Sequence, residues 1–334
     1  MNLTLDQLNA CVDGIPSVVE DDGAYYFRRF TDEQRLHQFE DGSAIGKRCF
    51  QNPGCKLDFT TDSPTLTLSM TRLLSRSNIP VYAVDLWQDG VLTHHLEKPR
   101  ADFPLTPEGR ILPDFEETFT LLPGKKRVEL FFPWNVNYRV KNVSLSDGAL
   151  FEPTVHARRM IVFGDSITQA NVVTFPSMTY IAQVSRAIDA RTYDYAIGSD
   201  KYKATSILPG TYPEADMILV AYGTNARKIS ANWQKGLDAF YELLVKEFPG
   251  VPTYAVLPIH RMGEETDEER EVTLPEARRR IREKCESIPQ VTVIDGETFV
   301  PWDDAMYVDG LHPNDLGHTH YAMNLIRELK KLLK

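Results

Sequence analysis

The chain has 334 residues, enough for two compact units, and its 42% hydrophobic and 25% charged content is that of an ordinary globular protein. With 37 basic against 47 acidic side chains the net charge is −10; this excludes the footprint of a nucleic-acid or anionic-membrane binder, and neither partner is expected. No apolar run reaches a membrane span, the start Met1-Asn2-Leu3-Thr4-Leu5-Asp6 lacks the basic and apolar regions of a signal peptide, and a cytoplasmic location is expected.

Residues 1–22 hold a weak helical pattern (Leu3, Leu5, Leu8, Val12) followed by Gly14 and Pro16. From there to about 152 the chain reads as short strands, at 24–30, 56–60, 65–70, 80–87, 91–95, 117–121, 127–132 and 139–146. Turn signals separate them: Asp41-Gly42, Pro53-Gly54, Asp89-Gly90, Pro123-Gly124 and Asp147-Gly148. Strands this short, with no long helix among them, predict an antiparallel β-sandwich or jelly roll over 1–152. Leu66, Leu68 and Met70 alternate as a strand with one buried face does, and so do Val128, Leu130 and Phe132. Cys11, Cys49, Cys55 and Cys285 are too few and too irregular for a disulfide framework, although Cys49 and Cys55 flank a turn. No Cys/His cluster has zinc-site spacing, so reduced thiols and no structural metal are expected.

Leu150-Phe151-Glu152-Pro153-Thr154-Val155 reads as a short extended linker, and a second domain is expected over 153–334. There strand and helix patterns alternate, which predicts an α/β fold with a parallel sheet covered on both faces. The strands fall at 160–163, 193–197, 217–222, 253–258 and 291–295. Residues 232–248 carry a helical stripe through Trp233, Leu237, Phe240, Tyr241, Leu244 and Phe248. A helix at 275–287 buries Ala277, Ile281 and Cys285. Its arginines 278, 279, 280 and 282 resemble a phosphate patch, but a solvated face beside Glu268, Glu269 and Glu271 is the better reading. A last helix, 315–333, is capped by Asn314 or Asp315.

Two stretches carry chemistry. Met160-Ile161-Val162-Phe163-Gly164-Asp165-Ser166 puts a serine where a strand ends and a helix begins, with its hydroxyl exposed and its backbone N–H free. By itself such a serine is more often a helix cap than a nucleophile. The far end of the chain changes the balance: Asp309-Gly310-Leu311-His312 brings a carboxylate within reach of an imidazole, leaving Nε2 to take a proton from a serine. Gly198 and Gly223-Thr224-Asn225 follow two further strands. In a parallel sheet all these positions share the carboxyl edge, where ligands bind.

These blocks resemble the SGNH (GDSL-type) hydrolases, over roughly residues 157–334 and in the family's order. Gly164-Asp165-Ser166-Ile167-Thr168 is similar to the first block, Gly198 to the second, Gly223-Thr224-Asn225 to the third, and Asp309-x-x-His312 to the last. The resemblance implies a flavodoxin-like parallel sheet and a cofactor-independent serine esterase. It makes Ser166 the nucleophile, His312 the base and Asp309 its partner. The oxyanion hole is the N–H of Ser166, the N–H of Gly198 and the side-chain amide of Asn225. Ala226 stands where the family often has Asp, and Ile197-Gly198-Ser199-Asp200 is not the usual Asn-x-Gly pattern. A β-sandwich ahead of such a domain is similar to two-domain carbohydrate esterases, and Val84-Asp85-Leu86-Trp87 looks like a motif of their accessory domains.

The expected function is therefore hydrolysis of small acyl esters, acetyl first, on a small-molecule or oligosaccharide carbohydrate. The alternatives are a lipid or thioester hydrolase, or a non-catalytic carbohydrate-binding protein with the same fold. Trp302, His260 and Trp134 are candidate substrate-binding residues, each with a structural reading beside it. Asp165 is read as holding the turn, His318 and His320 as bystanders, and Ser199 is discounted as a nucleophile. Exposed sandwich edges make a homodimer a reasonable expectation.

Overall fold

The computed structural model describes residues 1–75, 81–99, 102–107, 109–112, 114–226, 231–262 and 274–334. It divides into two compact units that do not follow a single cut at 152/153. The first holds Met1–Arg29, Phe50–His156 and Thr174–Ser177; the second holds Phe30–Cys49, Ala157–Val173 and Met178–Lys334. Phe30, Phe39 and Cys49 bury their side chains in the core of the second unit, where Phe30 meets Tyr195 edge-on at 5.3 Å. Thr174–Ser177 joins the first unit for a polar reason. The Ser177 N–H and Oγ both donate to the buried Asp85 carboxylate, at 2.9 and 2.6 Å, and Phe175 stacks on His95 at 3.9 Å.

The first unit is built of two antiparallel sheets. One runs Val12–Asp13, Lys56–Thr61, Lys126–Phe131, Val81–Gln88, Val91–Pro99, with Glu152–Pro153 also beside Lys56–Thr61. The other runs Ser17–Asp21, Ala24–Arg28, Asn137–Leu145, Thr65–Ser75, Gly109–Leu112, Leu105–Thr106, with Phe115–Thr120 also paired to Thr65–Ser75. Both sheets feed one core: Leu57, Val84 and Leu130 come from the first, Phe27, Leu68 and Val143 from the second. The expected strands are present within one to five residues at their ends, apart from Pro80, which lies outside the described residues. Ser17–Asp21 and Gly109–Leu112 were not foreseen. The expected linker is a short strand, with Glu152 and Pro153 paired to Thr60 and Phe59.

The second unit contains a five-stranded parallel sheet in the order Ala190–Asp194, Arg158–Gly164, Met217–Ala221, Thr253–Val256, Val291–Ile294. In chain order this is 2-1-3-4-5, a doubly wound sheet. Alternation along the central strand explains the layers. Met160 and Val162 face the helices Tyr180–Ile188 and Asp315–Leu332; Ile161 and Phe163 face Ala231–Glu247 and Leu274–Glu286. The strand expected at 193–197 begins three residues earlier, yet Tyr195 and Ile197 still donate to Val162 and Gly164 at 2.8 and 2.9 Å. Helix Tyr180–Ile188 was missed in the sequence; Thr179 caps it by accepting from the Ala182 N–H.

Arginines 279, 280 and 282 pair with Glu276, Glu283, Glu286 and Asp295, as a solvated face does, while Arg278 is buried against Pro258 O and Glu297. Glu268, Glu269 and Glu271 lie outside the described residues. All four cysteines are buried free thiols. Among the described residues, no helix is long and apolar enough to cross a membrane.

Candidate active site

Strand Arg158–Gly164 is buried on both faces and stops at Gly164 because the chain folds back at once. A Cβ at Gly164 would lie 2.2 Å from Thr168 Oγ1, so no other residue fits this turn. Asp165 follows, its Oδ1 accepting from the Ile167 N–H at 3.2 Å. The N–H groups of Gly223 and Thr224 also favour its charge, but burial dominates and pushes the carboxyl up to about 7. Asp165 thereby braces the Ser166 turn through the Ile167 N–H, the structural role read for it.

Ser166, His312 and Asp309 meet. His312 Nε2 lies 2.9 Å from Ser166 Oγ, and His312 Nδ1 lies 2.8 Å from Asp309 Oδ2. A carboxylate accepts only, so Nδ1 carries the proton and Nε2 is left to accept from the serine hydroxyl. Burial works against the charge of Asp309. Hydrogen bonds from the His312 ring, the His312 N–H and the Leu311 N–H outweigh it and hold the carboxyl below its ordinary value. The loop is pinned from behind: Asn314 caps helix Asp315–Leu332 through the Gly317 N–H, and its amide donates to Ala305 O. His318, read as a bystander, is buried; its Nδ1 accepts the Tyr180 N–H at 3.1 Å, and burial depresses its imidazole to about 3.

The three expected oxyanion donors are in different states. The Ser166 N–H donates to no described residue. Asn225 Nδ2 donates to Asp200 O at 2.9 Å, which uses one of its two N–H groups and fixes the amide. The Gly198 N–H donates to Gln169 Oε1. Gly198 is glycine for a local reason: a Cβ there would lie 2.8 Å from Arg48 Nη1 and 3.0 Å from Gln169 Oε1.

Three residues of the site were missed. Gln169 bridges Gly198 and Arg48, with Nε2 donating to Arg48 O at 3.1 Å. Arg48 Nη1 donates to Ser199 Oγ at 2.9 Å, and burial lowers the guanidinium pKa. Asn171 Nδ2 lies 3.3 Å from His312 Nε2, in a turn where Ala170 and Val172 have φ of 66° and 72°. A β-branched residue at such a φ is strained, and strain of this kind clusters at functional sites.

His260 and Trp302 stack at 4.4 Å with 5° between the rings, Trp302 half exposed and His260 buried. Nδ1 of His260 faces Glu297 O at 3.1 Å, so Nε2 accepts from Tyr307 OH, two residues before Asp309. His260 thus supports the Asp309/His312 loop. Trp134 is buried in the first unit, where its carbonyl accepts from the Asn52 N–H. Among the described residues no group of three or more His, Cys, Asp or Glu is arranged to hold a metal ion.

Residues 162–320, which span Ser166, Gly198, Asn225 and the Asp309/His312 loop, match the model of the GDSL-like lipase/acylhydrolase family. Over this region the chain is similar to that family. No curated protein matches the sequence. Solved structures share its fold over nearly the whole chain. The salicylyl-acyltransferase SsfX3 from a tetracycline biosynthetic pathway is 22% identical, with a TM-score of 0.80 over 96% of this chain and 94% of that one. A GDSL-like lipase candidate from Bacteroides ovatus is 18% identical, with a TM-score of 0.75 over 100% and 98%. A family two carbohydrate esterase from Clostridium thermocellum is 13% identical, with a TM-score of 0.59 over 84% and 93%. At these identities the likeness is one of fold, and any chemistry of residues 162–320 is argued from those residues themselves.

Proposed function

We propose that the chain is a serine-dependent ester hydrolase that removes small acyl groups, acetyl first, from a carbohydrate. The observation that carries the ester chemistry is the relay Ser166 Oγ, His312 Nε2, Nδ1, Asp309 Oδ2, with both contacts below 3 Å. Ser166 Oγ bonds to the ester carbonyl carbon as its proton passes to Nε2, and the carbonyl electron pair moves onto oxygen. The Ser166 N–H and the Asn225 amide hold that oxyanion, and the Gly198 N–H joins them once Gln169 lets it go. Collapse breaks the bond to the alcohol oxygen, which takes the proton from Nε2. Water then repeats the sequence on the acyl-enzyme. Asp309 stays ionised throughout and steadies the imidazolium.

The carbohydrate part is supported by the fold shared with a family two carbohydrate esterase and by the two antiparallel sheets of the first unit, which we read as a jelly roll. Hydrolysis of p-nitrophenyl acetate by the wild type and by Ser166→Ala tests the chemistry. Turnover that is lost in the variant at an unchanged melting temperature is the expected result. Equal turnover in both would end the reading. A rate that climbs with acyl length from acetate to octanoate would favour the lipid or thioester hydrolase instead. The engaged Gly198 N–H favours one second reading, a sugar-binding protein without catalysis; it predicts sugar affinity with no fluorophosphonate labelling of Ser166.

A further inference from the structure

A concave cavity of about 880 Å³ opens beside Asn225 in the second unit. Its inner rim is Asn225 and Ser199, and its walls include Lys201, Lys203, Trp233 and Lys235. Among the described residues no acidic side chain lines it, although the chain carries a net charge of −10. The wall therefore reverses the sign of the molecule at one place, next to a residue proposed to hold the reacting oxygen.

The three lysines are not equivalent. Lys203 is already satisfied, with Nζ 2.8 Å from Asp200 Oδ1 and 3.9 Å from the centre of the Phe39 ring. Lys201 and Lys235 are exposed and form no ion pair with a described residue. They come from different elements, Lys201 from the loop after strand Ala190–Asp194 and Lys235 from helix Ala231–Glu247. Close packing fixes the two walls: a Cβ at Gly236 would lie 2.5 Å from Tyr202 O, so the helix presses on the loop at this point. Asn225 binds the same loop through Asp200 O. At the inner end Arg48 reaches Ser199 Oγ and adds a third positive charge.

We propose that this cavity seats a negatively charged group, a carboxylate or phosphate, carried by the ester substrate, with Lys201 and Lys235 as the residues that select it. The inference rests on the esterase reading for the identity of the ligand as a substrate. Two lysines at an open wall attract an anion modestly, on the order of tenfold in affinity together, and salt weakens the attraction.

The test separates binding from turnover. Ser166→Ala protein binds, without cleaving, matched pairs of esters measured by titration calorimetry. One pair carries the charge on the alcohol, an O-acetylated methyl galacturonide against its neutral methyl ester. The other carries it on the acyl group, 4-nitrophenyl hemisuccinate against its methyl ester. We expect one pair to show the anionic member bound roughly tenfold more tightly at low salt, with the ratio shrinking in 0.5 M sodium chloride (about a 4 Å Debye length). That pair tells which side of the ester bears the charge. In Lys201→Gln/Lys235→Gln the ratio falls to near one, and in Lys201→Glu/Lys235→Glu it inverts, while circular dichroism shows the fold kept. Equal binding within both pairs overturns the proposal, as does a preference that survives the double substitution. Failure of the esterase reading shows elsewhere, as absent p-nitrophenyl acetate turnover by the wild type.

Discussion

The backbone N–H of Gly198 donates to the side-chain oxygen of Gln169, so a donor expected to face a substrate oxyanion is held by the protein itself. An amide oxygen there resembles the group it would have to yield to. A neutral hydrogen bond of this kind is worth about 1 kcal/mol net. Gln169→Ala is therefore expected to raise kcat/KM for p-nitrophenyl acetate by about fivefold, and Gln169→Glu to lower it by a hundredfold or more through charge repulsion with the oxyanion. A steep loss in the alanine variant would instead make Gln169 a positioning residue for the oxyanion hole.

Asn225 is held by Asp200 O and presents its second N–H. Asn225→Ala is expected to reduce kcat by roughly a hundredfold with a small change in KM, as removal of one oxyanion donor does. Steady-state kinetics on p-nitrophenyl acetate reads the split; a change confined to KM would place Asn225 outside the oxyanion hole.

Asp309 fixes the tautomer of His312. Asp309→Asn keeps the shape but offers an N–H where an acceptor is needed, and a loss of kcat on the order of 10⁴ is expected. A loss under tenfold would mean that the orientation of His312 is set by the loop alone.

Two buried groups give opposite dependences of stability on pH. His318 has its folded pKa depressed to about 3, so its contribution is full above pH 6.5 and is lost as pH falls through the window below it. Asp165 has its folded pKa raised to about 7, so its contribution is full below about pH 4 and is lost as pH rises towards 7. Between pH 4 and 6.5 the slopes oppose, and the wild type is expected to be nearly flat for this pair. Urea unfolding of Asp165→Asn should reveal stability that rises with pH across that window, and His318→Gln the reverse. Parallel curves for both variants and the wild type would contradict the assignment.

The meeting of Ser166, His312 and Asp309 was legible because its signals are local in sequence. A serine at a strand end and an Asp-x-x-His turn each mark themselves within four residues, and the stripe through Trp233, Leu237, Phe240 and Leu244 declares its helix. Arg48 and Gln169 left no such mark. Their function is to crowd Gly198, and crowding is a property of space. Arg48 also sits in a segment whose apolar residues, Phe39 and Cys49, say only that it is buried and not in which core. The edge strand beginning at Ala190 was misplaced because Ala190, Arg191 and Thr192 carry little β signal; its register is imposed by the central strand, from Arg158 paired with Ala190 onward. Asp85 was noticed within a motif, but its hold on Ser177 joins positions 92 residues apart.

The polypeptide passes between its two units five times, with segments as short as Thr174–Ser177 on one of the passages. A gene fragment for residues 153–334 would encode Ser166, Asp309 and His312 and still omit Arg48 and the Asp85 carboxylate that receives Ser177. Recombination at one breakpoint cannot donate the second unit to another protein as a ready module, because its segments are interleaved with those of the first. A product truncated at 153 should therefore emerge from the ribosome as a client for chaperones and proteases.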